Sequence, residues 1–218
     1  MTAPYRLLAS PGTGSAIVEC MLVLRGLPYV IEDFAYDRVL AGDPALMAKN
    51  PLSEVPALVL PDGTLMTESA AMLIYLDEIV REGTLLRDRL VPPAGTPERA
   101  RIYRWTLFLA ATLYPTFTYG DDPERWVAGA ETGEELRKRT DAYREELWGM
   151  VEREASPGPY WMGDQLTLVD LYIGVMAYWR PGKKWFAANA PKLTRIAANV
   201  ASHPKLAGVW ARNFRVGQ

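Results

Sequence analysis

Every stretch of this 218-residue chain that reads as a β-strand lies before residue 68. Any sheet is therefore confined to the N-terminal part, and the rest must be helical. YRLLAS (5–10), YVIEDF (29–34), PALVL (56–60) and TLMT (64–67) are short apolar runs bounded by turn residues. Between the first two lies SAIVECMLVLRG (15–26), with Ile17, Val18, Met21, Leu22 and Leu24 at helical spacing and Gly26 as a stop. PALMAKN (44–50) forms a short helix or turn, PDG (61–63) a hairpin turn. ESAAMLIYLDEIV (68–80) is a helix carrying Met72, Leu73, Leu76 and Ile79 on one face. The order is βαβ, helix, ββ, helix.

The Pro-rich VPPAGTP (91–97) ends a linker. A long helix follows over 97–119, opened by proline and kinked at Pro115. Residues 132–155 are amphipathic, with Leu136, Tyr143, Leu147 and Val151 inward and a solvated charged face. TLVDLYIGVMAYW (167–179) is a buried helix whose Thr167 and Asp170 sit at capping-box spacing. Two further helices each begin with proline, at 191 and 204. The expected division is an α/β domain at 1–81, a linker at 82–97 and an all-α domain at 98–218.

Net charge is −2, which argues against a nucleic-acid footprint. The lone Cys20 excludes an intrachain disulfide and a CxxC redox pair. It reads as a buried, inert thiol. The lone His203, in an SHP turn, argues against a metal site and a Ser-His-Asp triad. No run of 18 apolar residues predicts a membrane span. MTAPYRLL shows no signal peptide, so a cytoplasmic location is expected.

NPLSEVPALVLPDGTLMTESAAMLIYL (50–76) resembles the glutathione-binding half of the cytosolic glutathione transferases. The resemblance rests on Asn50-Pro51, Val55-Pro56-Ala57-Leu58, the PDG turn and Glu68-Ser69, in that order and spacing. GLPY (26–29) and GDQLTLVD (163–170) fit the same family, with Val169 in place of its usual small alanine. The resemblance implies a thioredoxin-like first domain with a cis Val55-Pro56 peptide, which an X-Pro bond reaches for about 0.5–1 kcal/mol. It implies that glutathione pairs with the Val55 backbone as an added strand. It also places the γ-glutamyl carboxylate on Ser69 at a helix start, with Glu68 on the peptide's amino group. Taken alone, Val-Pro would be an ordinary strand start, and Thr67 or Glu68 a simple helix cap. Ser53-Glu54 departs from the family, which commonly has Gly and then Gln or Lys there.

The thiol of glutathione is then expected at SPGTGS (10–15), at the start of helix 15–26, where a thiolate is favoured. This loop is similar to that of the beta class, whose cysteine stands at the position of Gly14. Without that cysteine a mixed disulfide at that position is excluded. Thr13, then Ser15, then Ser10 are the candidate hydroxyl donors to the sulfur. The backbone N–H groups of Gly14 or Ser15 are the alternative, and all three hydroxyls serving only as helix caps is a third.

Of the aromatics on the long helix, Tyr114 and Tyr119 beside the kink are expected to line a pocket for a hydrophobic electrophile. The leading expectation is transfer of the glutathione thiolate to that electrophile, without a metal. A glutathione-dependent reductase, dehalogenase or ether-cleaving enzyme, and a non-catalytic binding module, are the alternatives. The resemblance also implies a homodimer, with Met66, Met72 and the 81–89 segment in its interface.

Overall fold

The computed structural model describes residues 3–79 and 89–214. The four expected strands form one mixed sheet: β1 (Tyr5–Ala9), β2 (Tyr29–Asp33), β3 (Ala57–Val59) and β4 (Leu65–Met66). Their order across it is β2-β1-β3-β4. β1 runs parallel to β2 in the register Leu7↔Ile31 and antiparallel to β3 in the register Leu8↔Ala57. β3 runs antiparallel to β4, with Leu58↔Met66.

Helix α1 (Ser15–Leu24) makes the crossover between the parallel strands. Every residue from Ser15 to Leu22 is buried, including Glu19. The helix stops because Gly26 takes φ +60°, letting the Gly26 and Leu27 N–H groups close back on Val23 and Leu22 carbonyls. Two short helices, α2 (Tyr36–Leu40) and α3 (Pro44–Met47), follow β2. Only α3 falls in a segment expected to turn, and Asp43 caps it by accepting from the Ala45 and Leu46 N–H groups. α2 has five residues with one buried, so it carried no periodic signal. α4 (Ser69–Glu78) packs on α1. Met72 is fully buried there and cannot belong to a dimer surface, contrary to expectation. Of the 81–89 segment, all but Arg89 lies outside the described residues; Arg89 pairs with the buried Asp77 at 3.3 Å.

The chain divides into two compact units, one of residues 1–89 with 200–218 and the other of 90–199. In the second unit α5 (Pro97–Phe108) begins under a Thr96 cap. It passes into a π-helical turn at Leu109–Leu113 before α6 (Pro115–Asp121). The wide turn, with Tyr114 N–H on the Leu109 carbonyl at 2.9 Å, precedes the expected break at Pro115, which has no N–H to give. A 25-residue helix, α7 (Ala130–Glu154), comes next. Its buried face carries Arg144, Leu147, Trp148 and Val151, while Tyr143 is exposed, correcting the expected inward face. Arg144 is tolerated inside because Thr116 Oγ1, the Thr116 carbonyl and Asp141 accept from its guanidinium at 2.9, 2.8 and 2.7 Å. The guanidinium also lies 3.9 Å from the Phe117 ring centroid.

α8 (Leu168–Met176) is buried throughout, and the expected capping box is present. Asp170 accepts from the Thr167 N–H, the Thr167 hydroxyl and the Trp161 N–H at 2.7, 2.6 and 2.6 Å. Burial pushes its pKa up to about 6. α9 (Lys183–Asn189) had no counterpart among the expected elements, and α10 (Pro191–Ala201) did. A 3-10 turn at Pro204–Leu206 then leads into α11 (Ala207–Asn213). This last helix and the turn before it pack on α1. The arrangement is a thioredoxin-like sheet domain with a helical domain, as expected.

Candidate functional site in the first unit

Three segments leave the sheet at one end. β1 and β3 stop pairing at Leu8↔Ala57, so Ser10 and Val55 emerge together. Leu58 pairs with Met66 in the antiparallel neighbour, so Glu68 and Ser69 emerge at that same end. The topology thus gathers SPGTGS, Val55-Pro56 and Glu68-Ser69, although the chain separates them widely.

The Val55-Pro56 peptide is cis. The Val55 side chain packs against a cluster of Leu8, Phe34, Val39, Leu46 and Ala57, which fixes where its backbone faces. Among the described residues, neither the N–H nor the carbonyl of Val55 has a hydrogen-bond partner. The loop before it is braced by Asn50, which is buried; its amide donates to the Glu54 carbonyl at 2.8 Å and accepts from the Leu52 N–H at 3.3 Å. Ser53 holds φ +52°, the conformation that suits the glycine common at this position in the family, and its hydroxyl donates to the Val39 carbonyl. The Glu54 side chain faces solvent.

Glu68 precedes α4 with φ +63° and ψ +100°, an uncommon conformation for a residue with a side chain. It is exposed, and its carbonyl accepts the first helical bond, from the Met72 N–H. Ser69, half-buried, is the first helical residue, as expected. The Ala70 and Ala71 N–H groups behind it have no acceptor among the described residues. Such a helix start favours a carboxylate.

The Thr13 and Ser15 hydroxyls bond to each other and to the Ser10 backbone. Thr13 donates to the Ser10 carbonyl at 2.7 Å and lies 3.0 Å from the Ser15 hydroxyl. Ser15 accepts from the Ser10 N–H at 3.3 Å, and the Ser15 N–H reaches back to Thr13 Oγ1 at 3.3 Å. With the Thr13 proton on a carbonyl, the Ser15 proton points at Thr13, and neither is spare. Ser10 and Ser15 are buried, whereas Thr13 is partly open to solvent. The Gly14 N–H, at the start of α1, has no acceptor among the described residues. Cys20 is buried, and burial raises its thiol pKa well above the ordinary value, which suits an inert role.

Sequence reasoning missed what holds this loop from outside. The Gly12 N–H donates to Asn213 Oδ1 at 3.1 Å. Asn213 Nδ2 donates to Glu19 Oε2 at 2.9 Å, and Arg212 donates to the same oxygen at 2.8 Å. A lone glutamate inside the apolar run AIVECMLVL was the one available signal.

In the second unit Tyr114 is half-buried and edge-on to Trp179, with centroids 5.4 Å apart. Tyr119 is exposed and meets Trp126 edge-on at 4.9 Å. The two tyrosines thus have separate aromatic partners. No described helix is long and apolar enough to cross a membrane, and the described residues hold no cluster of potential metal ligands.

Residues 15–79 match the model of the glutathione S-transferase N-terminal domain. An Escherichia coli K12 relative, the uncharacterized GST-like protein YncG, is 41% identical over 93% of this chain and 95% of its own length. Glutathione S-transferase GstA of E. coli O157:H7 is 27% identical, covering 92% of this chain and 94% of its own. A glutathione transferase homologue from Sulfitobacter, solved with bound glutathione, superposes with a TM-score of 0.84 at 26% identity, covering 97% of this chain and 98% of its own. This chain belongs to the glutathione S-transferase family.

Proposed function

We propose that the protein binds glutathione at the gathered end of the sheet and transfers its thiolate to a hydrophobic electrophile. The observation that carries this reading is the unpartnered Val55 backbone beside two helix starts that retain free N–H groups. An extended peptide pairs with Val55 as an added strand. Its γ-glutamyl carboxylate sits on Ser69 and the α4 N–H groups, with Glu68 on the amino group. The glutathione solved in the Sulfitobacter homologue supports the ligand.

The sulfur then lies at the start of α1. A cysteine-type thiol has a pKa of about 8.5, and each unit of lowering requires about 1.36 kcal/mol of preference for the thiolate. A hydrogen bond to a charged acceptor contributes about 1.5–3 kcal/mol and a helix end about 0.3–1 kcal/mol. The Gly14 N–H therefore suffices for one to two units. Thr13 joins only by releasing the Ser10 carbonyl, Ser15 only by releasing Thr13, and Ser10 stands third. The thiol proton passes to water. The thiolate then forms the S–C bond, and a leaving group departs with its electron pair, or in an addition the neighbouring atom takes a proton from water. Tyr114 and Tyr119 are proposed for the electrophile pocket. The acting form is proposed as a cytoplasmic homodimer, with the glutathione-binding domain over 1–81, a linker over 82–97 and the helical domain over 98–218.

Calorimetric titration with glutathione, followed by a chlorodinitrobenzene conjugation assay, tests the reading. Binding with turnover is expected; binding without turnover leaves a glutathione-binding module, and no binding refutes the site. Gly14→Pro removes the N–H at a φ of −59° that proline accepts, and should lower kcat more than about tenfold. Thr13→Val should cost less; the reverse order would return the role to the hydroxyl. A sedimentation mass of one chain would refute the dimer.

A further inference from the structure

We propose that Asn213 is a positioning residue for the thiolate site: its carboxamide, oriented by Glu19, lets the last helix hold the SPGTGS loop in the shape that aims the Gly14 N–H. The inference rests on the reading of that loop given above.

The loop needs holding. Gly12 adopts φ +75°, and its two glycines would otherwise admit several backbone paths. Its own hydroxyl contacts tie Ser10, Thr13 and Ser15 together but leave the outer turn at Gly12 to another element. Asn213 provides that tie at 3.1 Å, across a sequence separation of 201 residues.

The carboxamide is held in one orientation. Its Nδ2 donates to Glu19 Oε2 at 2.9 Å and to the Val209 carbonyl at 2.9 Å, both of which accept only. A flip would set an oxygen against those two acceptors and an NH2 against the Gly12 N–H. Oδ1 also receives Arg212 Nη1 at 3.4 Å. Glu19 is 3% exposed and rooted in α1, the helix whose start the loop forms. Arg212 bridges Glu19 to Asp33 at the end of β2. The tie therefore runs from the last helix, through one buried amide, to both the outer turn of the loop and the body of the helix that carries Gly14. A backbone donor acts on a developing charge only while its direction is fixed, and misplacement by about 1 Å can cost about a hundredfold in rate.

The test uses Asn213→Leu, which keeps comparable bulk and removes both the acceptor and the donor, with Asn213→Ala as the second variant should the first fail to fold. Asp170→Asn is the control: it removes a capping carboxylate of α8 that has no bond to the loop, to Glu19 or to Asn213. Asn213→Leu is expected to lower kcat about tenfold while the calorimetric Kd for glutathione changes less than about twofold. Amide hydrogen exchange at Gly12 should quicken at least about tenfold in it. Asp170→Asn should lose stability yet keep kcat and Gly12 protection near wild type. Unchanged kcat or unchanged Gly12 exchange in the Asn213 variants would overturn the inference, as would a kcat loss in Asp170→Asn equal to theirs, since rate would then track stability alone. If the wild type binds no glutathione, the reading of the site falls and the catalytic part of this inference with it; the exchange measurement still decides whether Asn213 holds the loop.

Discussion

Asp170→Asn alters one atom of a buried carboxylate, and its cost can be worked from the contacts. The Asp170 oxygen that accepts from the Trp161 N–H survives as the amide oxygen. The other oxygen, which accepts from the Thr167 N–H at 2.7 Å and from its hydroxyl at 2.6 Å, becomes an NH2. The hydroxyl can turn and accept from it; the Thr167 N–H cannot, and is left buried against a donor. The orphaned Thr167 N–H is the lost half of the capping box, and one such buried N–H costs about 1–3 kcal/mol, so urea unfolding near pH 7 should show a loss of about 1–3 kcal/mol. The pH dependence adds a second arm. Burial raises the Asp170 pKa from 3.8 to about 6, so between those values the native state holds a proton that the unfolded state has released. Stability from this group therefore falls as pH rises through that window, by up to about 3 kcal/mol, and the amide of the variant, which does not titrate, has no such slope. The gap between wild type and variant should widen as pH is lowered from about 7 to about 4, other carboxylates cancelling in the comparison. A loss under about 0.5 kcal/mol, the scatter of surface substitutions, or a gap that narrows toward acid would refute the reasoning.

Ser69→Ala should weaken glutathione binding by at least about 1 kcal/mol, near fivefold in the calorimetric Kd, because a hydrogen bond to a charged group is lost; unchanged affinity would restrict Ser69 to helix formation. Glu68→Gly relieves a positive φ and should raise the urea midpoint, by up to about 1 kcal/mol in stability, while weakening glutathione binding. A variant that is less stable would show that Glu68 is not strained. Arg144→Ala should cost about 3 kcal/mol or more in thermal or urea unfolding, since the Thr116 carbonyl and Asp141 lose their buried partner; a near-neutral result would mean that water replaces the guanidinium.

The first unit was legible because its signals are local. Apolar runs punctuated by Gly and Pro gave all four strands, and Gly26 gave a helix end; in the second unit Thr167 and Asp170 likewise gave a helix start. α2 was not legible, since one buried residue in five makes no period. Tyr143 was expected inward because an aromatic outranks an arginine in any hydropathy pattern; only Thr116 and Asp141, brought from a distant helix and the preceding turn, make Arg144 the better occupant. The site was legible as far as one segment could declare it, in Val55-Pro56 and Glu68-Ser69. The loop was not: Thr13 and Ser15 read from the sequence as donors, yet their protons are taken up within the loop, by the Ser10 carbonyl and by Thr13. Gly14 could not advertise a backbone N–H, and Asn213 stands at the other end of the chain.

The Gly12–Asn213 contact has a consequence for biosynthesis. The strands and helices of the sheet domain are complete once Ile79 has emerged, but the helix that packs on α1 and fastens its first loop is translated last. A nascent chain leaving the ribosome at about 5–20 residues per second holds an almost finished thioredoxin-like domain for several seconds before that helix exists. During this interval the buried Glu19 lacks both Arg212 and Asn213, so the domain can collapse but its carboxylate has no counter-charge from α11. The sheet domain therefore matures only after the helical segment has been made, and a chain that stalls late is left with a formed sheet and an unfastened loop.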